Sequence, residues 1–215
     1  MGQYFTLKNM SKDQYFSPLE AACGSKPFEF CDVDSFFILE VCKKLKDEWN
    51  GDCIVIAGDY IENELEMKCF WPTIDSYEVT HNELYLDYEK HAECNFLIIN
   101  IATLEEKKAA LLKELQDCVL VNYKRRSFIK WDYRINENED RWSQSVVSTL
   151  LIQNDYNLEY LPDSYGEYLN GKWVSEPIGI LTREEAVKMD YYEVFVWTPE
   201  NDQTNGRVRL VKSGE

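Results

Sequence analysis

Apolar residues in this chain occur in two arrangements, short continuous runs and longer stretches at helical spacing. The run Cys53–Ala57 is rich in β-branched residues and is bounded by a Gly-Asp pair on each side. Such a run is typical of a strand buried on both faces. Upstream, apolar residues over 33–48 recur along one helix face, with Asp32 or Asp34 as the expected N-cap. We therefore predict a helix packed on a central strand, with Trp49 and the middle of the strand buried.

Two pairs of apolar runs are typical of hairpins. Near the N-terminus, residues 3–8 and 14–16 flank a polar segment with Asn and Ser, which are common turn residues. Near the C-terminus, residues 191–197 and 207–211 enclose a segment rich in Asn and Asp that ends in Gly. The pattern predicts one hairpin close to each end of the chain.

Two further helices are predicted after apolar strands. Residues 95–102 form a continuous apolar run typical of a strand, and 103–115 then carry leucines at helical spacing before a second strand over 118–121. This order could be a parallel crossover. A Thr-x-x-Glu pattern also predicts a capping box that opens a helix over 182–189.

Part of the chain repeats at a constant offset, which suggests an internal duplication. The matching pairs are Leu7 and Leu120, Asn9 and Asn122, Lys12 and Arg125, and Tyr15 and Phe128. With a three-residue insertion, 142–156 can also be laid on 49–60, which would place Asp155 on Asp59 and a strand at 150–152. The alternative is that two hairpins share turn chemistry by chance.

These patterns together predict an α+β fold. Two related, mainly antiparallel sheet units would pack with the helices 33–48 and 103–115. The first unit would span 1–113 and the second 114–215, either as separate units or as one continuous domain. The length of 215 residues and the 45% hydrophobic composition suffice for a sizeable core.

The charge is strongly acidic and unevenly distributed. The net charge is −16, and no arginine precedes Arg125. Residues 47–93 hold thirteen acidic side chains against two lysines. This balance argues against nucleic acid or an anionic membrane as a partner, because both are bound through basic surfaces. The acidic segment is either a solvated surface or a face that docks on a basic protein partner.

Cellular location and redox state follow from what the sequence lacks. No apolar run approaches the roughly 18 residues of a membrane-spanning helix, and the N-terminus does not have the pattern of a signal peptide. Seven scattered cysteines without a Cys-x-x-Cys pair are typical of reduced core thiols. We expect a cytoplasmic protein.

The candidate binding residues cluster at the end of the central strand and just beyond it. They are Asp52, Asp59, Tyr60, Glu62, Glu64 and Glu66. In a strand the three glutamates would share one face. Asp59, Glu62 and Glu64 could offer oxygen ligands to Ca²⁺ or Mg²⁺, and His81, His91 and Cys94 could join Glu83 around zinc, but neither set has a metal-site spacing. We assign no metal, no cofactor and no catalytic residue.

A family resemblance rests on the first hairpin and the central stretch. The residues are Met1-Gly-Gln-Tyr-Phe5, Asn9, Lys12, Tyr15, Trp49-x-Gly-Asp-x-Ile54 and Gly58-Asp-Tyr60. They resemble an uncharacterised family of microbial and phage proteins, although Asn50 stands where that family has Ala. The resemblance implies no activity. Separately, 160–169 is similar to an element of a family of acidic immunity proteins.

We therefore expect a soluble acidic interaction protein, such as an inhibitor or immunity-type factor that occludes a basic site on another protein. The alternative is a small-ligand enzyme, a carboxylate-based hydrolase with its site around Gly58-Asp59-Tyr60. Asp52 and Asp59 would lie roughly 23 Å apart on an extended strand, too far to act on one substrate together.

Overall fold

The computed structural model describes residues 5–16, 18–21, 23–24, 26–58, 101–135, 144–152, 169, 171–196 and 208–212. Its strands are β1 (Phe5–Asn9), β2 (Gln14–Phe16), β3 (Asp52–Gly58), β4 (Cys118–Asn122), β5 (Ser127–Lys130), β6 (Arg134–Ile135), β7 (Gln144–Ser145), β8 (Pro177–Thr182), β9 (Tyr192–Val196) and β10 (Val208–Lys212). Its α-helices are α1 (Pro27–Phe30), α2 (Phe36–Lys46), α3 (Ile101–Leu115), α4 (Val146–Leu151) and α5 (Arg183–Lys188), and Pro18–Ala21 forms one 3-10 turn.

Eight strands form one mixed sheet in the order β10-β9-β5-β4-β8-β3-β1-β2, and β6 pairs with β7 separately. Neighbouring strands of the large sheet are antiparallel except β5 and β9, which are parallel. The sheet and the helices confirm the predicted α+β class. Strands from 1–113 and from 114–215 meet in this sheet through the pairing of β3 with β8.

The main core lies between the large sheet and α2. The buried face of α2, which includes Phe37, Val41 and Leu45, packs with Ile54 of β3 and Ile178 of β8. On the other face of β3, Val55 and Ala57 form a separate small cluster. Trp49 is 2% exposed, and Ile54, Val55 and Ile56 are fully buried. The prediction of a central strand buried on both faces is therefore confirmed.

The N-cap of α2 is Ser35, not the Asp32 or Asp34 expected from the sequence. Ser35 Oγ accepts a hydrogen bond from Ile38 N at 3.2 Å, as an N-cap side chain does. The same hydroxyl donates to Phe30 O at 2.6 Å. Asp32 and Asp34 instead face Arg134, at 3.4 and 3.9 Å.

Several other predicted elements are present, and two are wrong. The N-terminal hairpin, the helix capped by Thr182 with its capping box, and the closing β9–β10 hairpin are confirmed. The predicted strand 95–102 is wrong at its end, because residues 101 and 102 begin α3; residues 95–100 lie outside the described part. The strand predicted at 150–152 is also wrong at 150 and 151, which end the helix Val146–Leu151, whereas Ile152 is extended and forms an isolated parallel bridge with Ile56.

The five cysteines among the described residues are free thiols. Cys31, Cys42 and Cys118 are buried. Burial raises the pKa of Cys31 to about 12 and also raises the pKa of Cys42. Thiols with raised pKa are poor nucleophiles, which agrees with a packing role in the core.

A candidate functional site where the two hairpins meet the central strands

The sequence-predicted residue Asp52 belongs to a polar cluster where the β1–β2 turn meets the start of β3. Asn9 Nδ2 donates to Asp52 Oδ2 at 2.7 Å, and the Lys12 ammonium lies 2.8 Å from the same oxygen. Asn9 Oδ1 accepts hydrogen bonds from the backbone N–H groups of Ser11 and Lys12 at 3.0 and 3.1 Å. Asn9 is fully buried, so its side chain fastens the turn to β3 from inside the protein.

A second cluster has the same construction where the β4–β5 turn meets the start of β8. Asn122 Nδ2 donates to Glu176 Oε2 at 2.7 Å, and Asn122 Oδ1 accepts from Arg125 N at 2.9 Å. Arg125 Nε pairs with Glu176 Oε2, and Lys124 Nζ lies 3.2 Å from Oε1. Asn122 is fully buried and Glu176 is 9% exposed. One asparagine, one carboxylate and at least one cation thus build each cluster.

The segment that leads into each strand is also equivalent. Trp49-x-Gly-Asp-x-Ile54 precedes and enters β3, and Trp173-x-Ser-Glu-x-Ile178 precedes and enters β8. Gly51 and Ser175 both have positive φ, +85° and +57°. Asp52 N donates to Trp49 O at 3.0 Å, and Glu176 N donates to Trp173 O at 3.1 Å. Both tryptophans are buried.

The two equivalent segments contact each other through matching hydrogen bonds where β3 pairs with β8. Gly51 N donates to Ile178 O at 2.8 Å, and the equivalent donor Ser175 N reaches Ile54 O at 3.3 Å. Cys53 pairs with its own counterpart, Pro177. The strand order outward from this pair is β3-β1-β2 on one side and β8-β4-β5 on the other. The hairpins are therefore related by an approximate twofold axis near Cys53 and Pro177.

The halves differ in the residue that precedes the positive-φ position. On one side Val174 packs against the small cluster of Val55 and Ala57. On the other side Asn50 lies against Gly179, and the Tyr123 hydroxyl donates to Asn50 Oδ1. A Cβ added at Gly179 would clash with Asn50 Oδ1 and lie 3.0 Å from the Tyr123 oxygen.

The hydrogen bonds of the second cluster favour the ionised form of its carboxylate, Glu176. Burial alone would raise the pKa of Glu176, but the hydrogen bonds from Arg125, Asn122 and Lys124 outweigh it and lower the pKa. In the first cluster, the Asp52 carboxylate accepts from the Asn9 amide and pairs with the Lys12 ammonium. Each carboxylate thus fixes a turn. Within the described ranges, no three His, Cys, Asp or Glu side chains are placed to hold a metal ion.

Asp52 is the one predicted binding residue that the structure describes. Asp59, Tyr60, Glu62, Glu64 and Glu66 lie outside the described residues, as do the possible zinc ligands Glu83, His81, His91 and Cys94. Trp173 and Glu176 are site residues that the sequence patterns described above do not indicate. A search for a second copy of Trp-x-small-acid-x-Ile, at an offset longer than that of the hairpins, would have found both.

Comparison with known protein families, with curated proteins and with solved structures finds no match to this chain. The resemblance to the uncharacterised family thus rests on the quoted motifs alone. Among the residues that the structure describes, no helix is long and apolar enough to cross a membrane.

Proposed function

We propose that this protein is an acidic interaction protein that binds a basic surface on a protein partner, as an inhibitor or immunity-type factor does. The observation that carries the proposal is the charge of residues 59–100. They hold ten acidic side chains and two lysines, which amounts to half of the net charge of −16. A surplus of this size steers basic partners and speeds their association.

The ion pairs in the rest of the molecule support this proposal. At least thirteen of the 23 lysine and arginine side chains lie within 4 Å of a carboxylate among the described residues. On α2, for example, Lys43 and Lys46 pair with Glu114, and Lys44 pairs with Glu48. These cations already pair with carboxylates of the described residues, and residues 59–100 alone contribute half of the remaining net charge.

Asp52 has a different part in the proposal from the other candidate residues. Its carboxylate is bound by Asn9 and Lys12, which reduces what it can offer to a partner. The predicted binding charge therefore comes from Asp59, Glu62 and the acidic residues that follow. The most informative residues to substitute are Glu62, Glu64 and Glu66, because in an extended segment their side chains would share one face.

The test is association kinetics with a partner isolated from the native host by pull-down, identified and purified. Raising the salt from about 0.05 M to about 0.5 M should slow association of the wild type roughly tenfold or more. Replacing Glu62, Glu64 and Glu66 by Lys should slow it at low salt and flatten the salt dependence.

The matched control replaces Glu105, Glu106 and Asp117 by Lys. These three residues are exposed on or beside α3, and the change in net charge is the same. The control should retain most of the wild-type rate. Association that does not depend on salt, or equal effects of the two triple variants, would leave the acidic segment as a solvated surface.

A further inference from the structure

The turn between β4 and β5 carries a surplus of positive charge in an acidic protein. Lys124, Arg125 and Arg126 are consecutive, and Lys172 adjoins them because its carbonyl oxygen accepts from Arg125 Nη2 at 2.7 Å. Within the described part of the chain, Glu176 is the one carboxylate paired with these side chains. We call Lys124, Arg125, Arg126 and Lys172 the basic turn.

The equivalent turn of the other hairpin is balanced, so it serves as an internal reference. There Lys12 pairs with Asp52 at 2.8 Å, and Lys8 pairs with Asp13 at 2.9 Å. One cation per carboxylate therefore suffices to hold this kind of turn to its strand. By that standard, Lys124, Arg126 and Lys172 exceed what the architecture needs.

The backbone at Arg126 supports the same conclusion. Arg126 has φ +53°, and its counterpart Asp13 has φ +52°. Asp and Asn tolerate this left-handed conformation better than most residues with longer side chains. The first turn thus has a favoured residue where the second has an arginine, whose guanidinium carbon lies 5.9 Å from the centre of the Tyr191 ring.

The side chains of the basic turn differ in how many of their hydrogen-bond donors are already used within the protein. Arg125 uses Nε and Nη2 on Glu176 and the Lys172 carbonyl. Lys124 is 67% exposed, and both Arg126 and Lys172 are exposed. Arg125 therefore holds the turn, while the other three cations are accessible to a ligand.

We propose that the basic turn binds a phosphate monoester. A phosphate monoester concentrates close to two negative charges on three acceptor oxygens, which suits several N–H donors around one short turn. A long polyanion such as nucleic acid is disfavoured by the net charge of −16. This site uses residues and a sign of charge that the proposed acidic interface does not use, so either can fail without the other.

The test is an NMR titration of the ¹⁵N-labelled full chain with inorganic phosphate. Separate arms with a phosphoserine peptide and with a sugar phosphate distinguish a phosphorylated protein from a small metabolite as the source. We expect shifts at the amides of 124–126, with no comparable shift at 11–13. Lowering the pH from 7.5 to 5.0 should weaken phosphate binding severalfold, because the second phosphate pKa is about 6, whereas binding of sulfate should change little.

The variant Lys124→Gln with Arg126→Asn should weaken binding roughly tenfold or more, since each lost charge-assisted contact is worth about a factor of ten. It keeps Arg125 on Glu176, and Asn suits the positive φ of position 126. The control replaces Lys107 and Lys113, both exposed on α3, by Gln. If the double variant fails to fold, the proposal is tested instead with Lys172→Gln, which should weaken phosphate binding, and by comparing the amide shifts of 124–126 with those of 11–13 in the wild type. Equal shifts in both turns, unchanged binding in the variant, or equally tight binding of a glutamate peptide would overturn the proposal.

Discussion

Truncating the buried asparagine of either cluster should destabilise the protein more than its size suggests. Asn122→Ala removes the bond to the Glu176 carboxylate and the bond from Arg125 N, at 2.7 and 2.9 Å. A hydrogen bond to a charged group is worth about 1.5–3 kcal/mol and one to backbone about 0.5–1.5 kcal/mol. The partners left behind are partly desolvated, so we expect a loss of roughly 2–4 kcal/mol of unfolding free energy.

The assay is urea unfolding followed by tryptophan fluorescence and far-UV circular dichroism, whose coincidence tests the two-state assumption. Asn9→Ala should cost a similar amount, because Asn9 makes the equivalent bonds to Asp52 and to the turn. Lys107→Ala, on the exposed face of α3, should stay within about 0.5 kcal/mol of the wild type.

The variant Asn122→Asp distinguishes the contribution of the side-chain amide donor to stability from that of the acceptor oxygen. It retains an acceptor for Arg125 N but sets a second carboxylate against Glu176, so the loss should be larger at pH 7 than near pH 4. A loss below about 0.5 kcal/mol for Asn122→Ala would show that the cluster does not hold the turn. A large loss for only one asparagine would show that the two clusters, though alike in geometry, are not energetically equivalent.

Three further predictions concern the strands around these clusters. Ile54→Ala should cost roughly 2–4 kcal/mol in urea unfolding, because the side chain is fully buried; a loss under half a kcal/mol would contradict its central place. Since the pKa of Glu176 is lowered in the folded state, its contribution to stability should be present above about pH 4.5 and be lost as the pH falls further, and Glu176→Gln should remove that part of the pH profile. Gly179→Ala should destabilise by roughly 1–3 kcal/mol, and Asn50→Ala should relieve most of that loss in a double-mutant cycle, because the new methyl group meets the Asn50 amide oxygen; no coupling would refute this account of the contact.

The local sequence pattern suffices to predict those helices and strands whose determining residues lie within a few positions of one another. The Thr182 capping box predicted α5 because both halves of the box, Thr182 and Glu185, are in the sequence and both bonds form. The central strand was predicted because glycine and aspartate bound a short β-branched run on both sides. In such cases the local conformation and the tertiary fold favour the same structure.

Where several residues compete for one role, tertiary contacts decide. Asp32, Asp34 and Ser35 are all acceptable N-caps for α2, and Asn, Asp and Ser rank almost equally. Ser35 takes the role and also donates to Phe30 O, whereas the two aspartates lie beside Arg134 from a distant part of the chain. The sequence does not show that Arg134 folds back there.

The helix α4 was missed because its pattern has no period. All six residues of Val146–Leu151 are buried, including the polar Ser148 and Thr149, so no exposed polar face marks the helical period. A short run of this kind looks the same whether it is a buried strand or a buried helix. Its helical state is set by Ser145, whose hydroxyl accepts from Val147 N and whose carbonyl accepts from the Ser148 and Thr149 hydroxyls.

Because of this error, the sequence pattern also placed the counterpart of the central strand in the wrong segment. Because 150 and 151 are helical, the counterpart of Trp49–Ile54 must lie elsewhere, and the pairing of β3 with β8 identifies it as Trp173–Ile178. The two equivalent segments share backbone conformation more than residue identities. A positive φ is met by Gly51 in one and Ser175 in the other, and the carboxylate that receives the hairpin asparagine is aspartate in one and glutamate in the other. We interpret these pairs as the result of an internal duplication. On this interpretation, each difference between the two segments, from the Asn50–Gly179 contact to the basic turn, arose after the duplication.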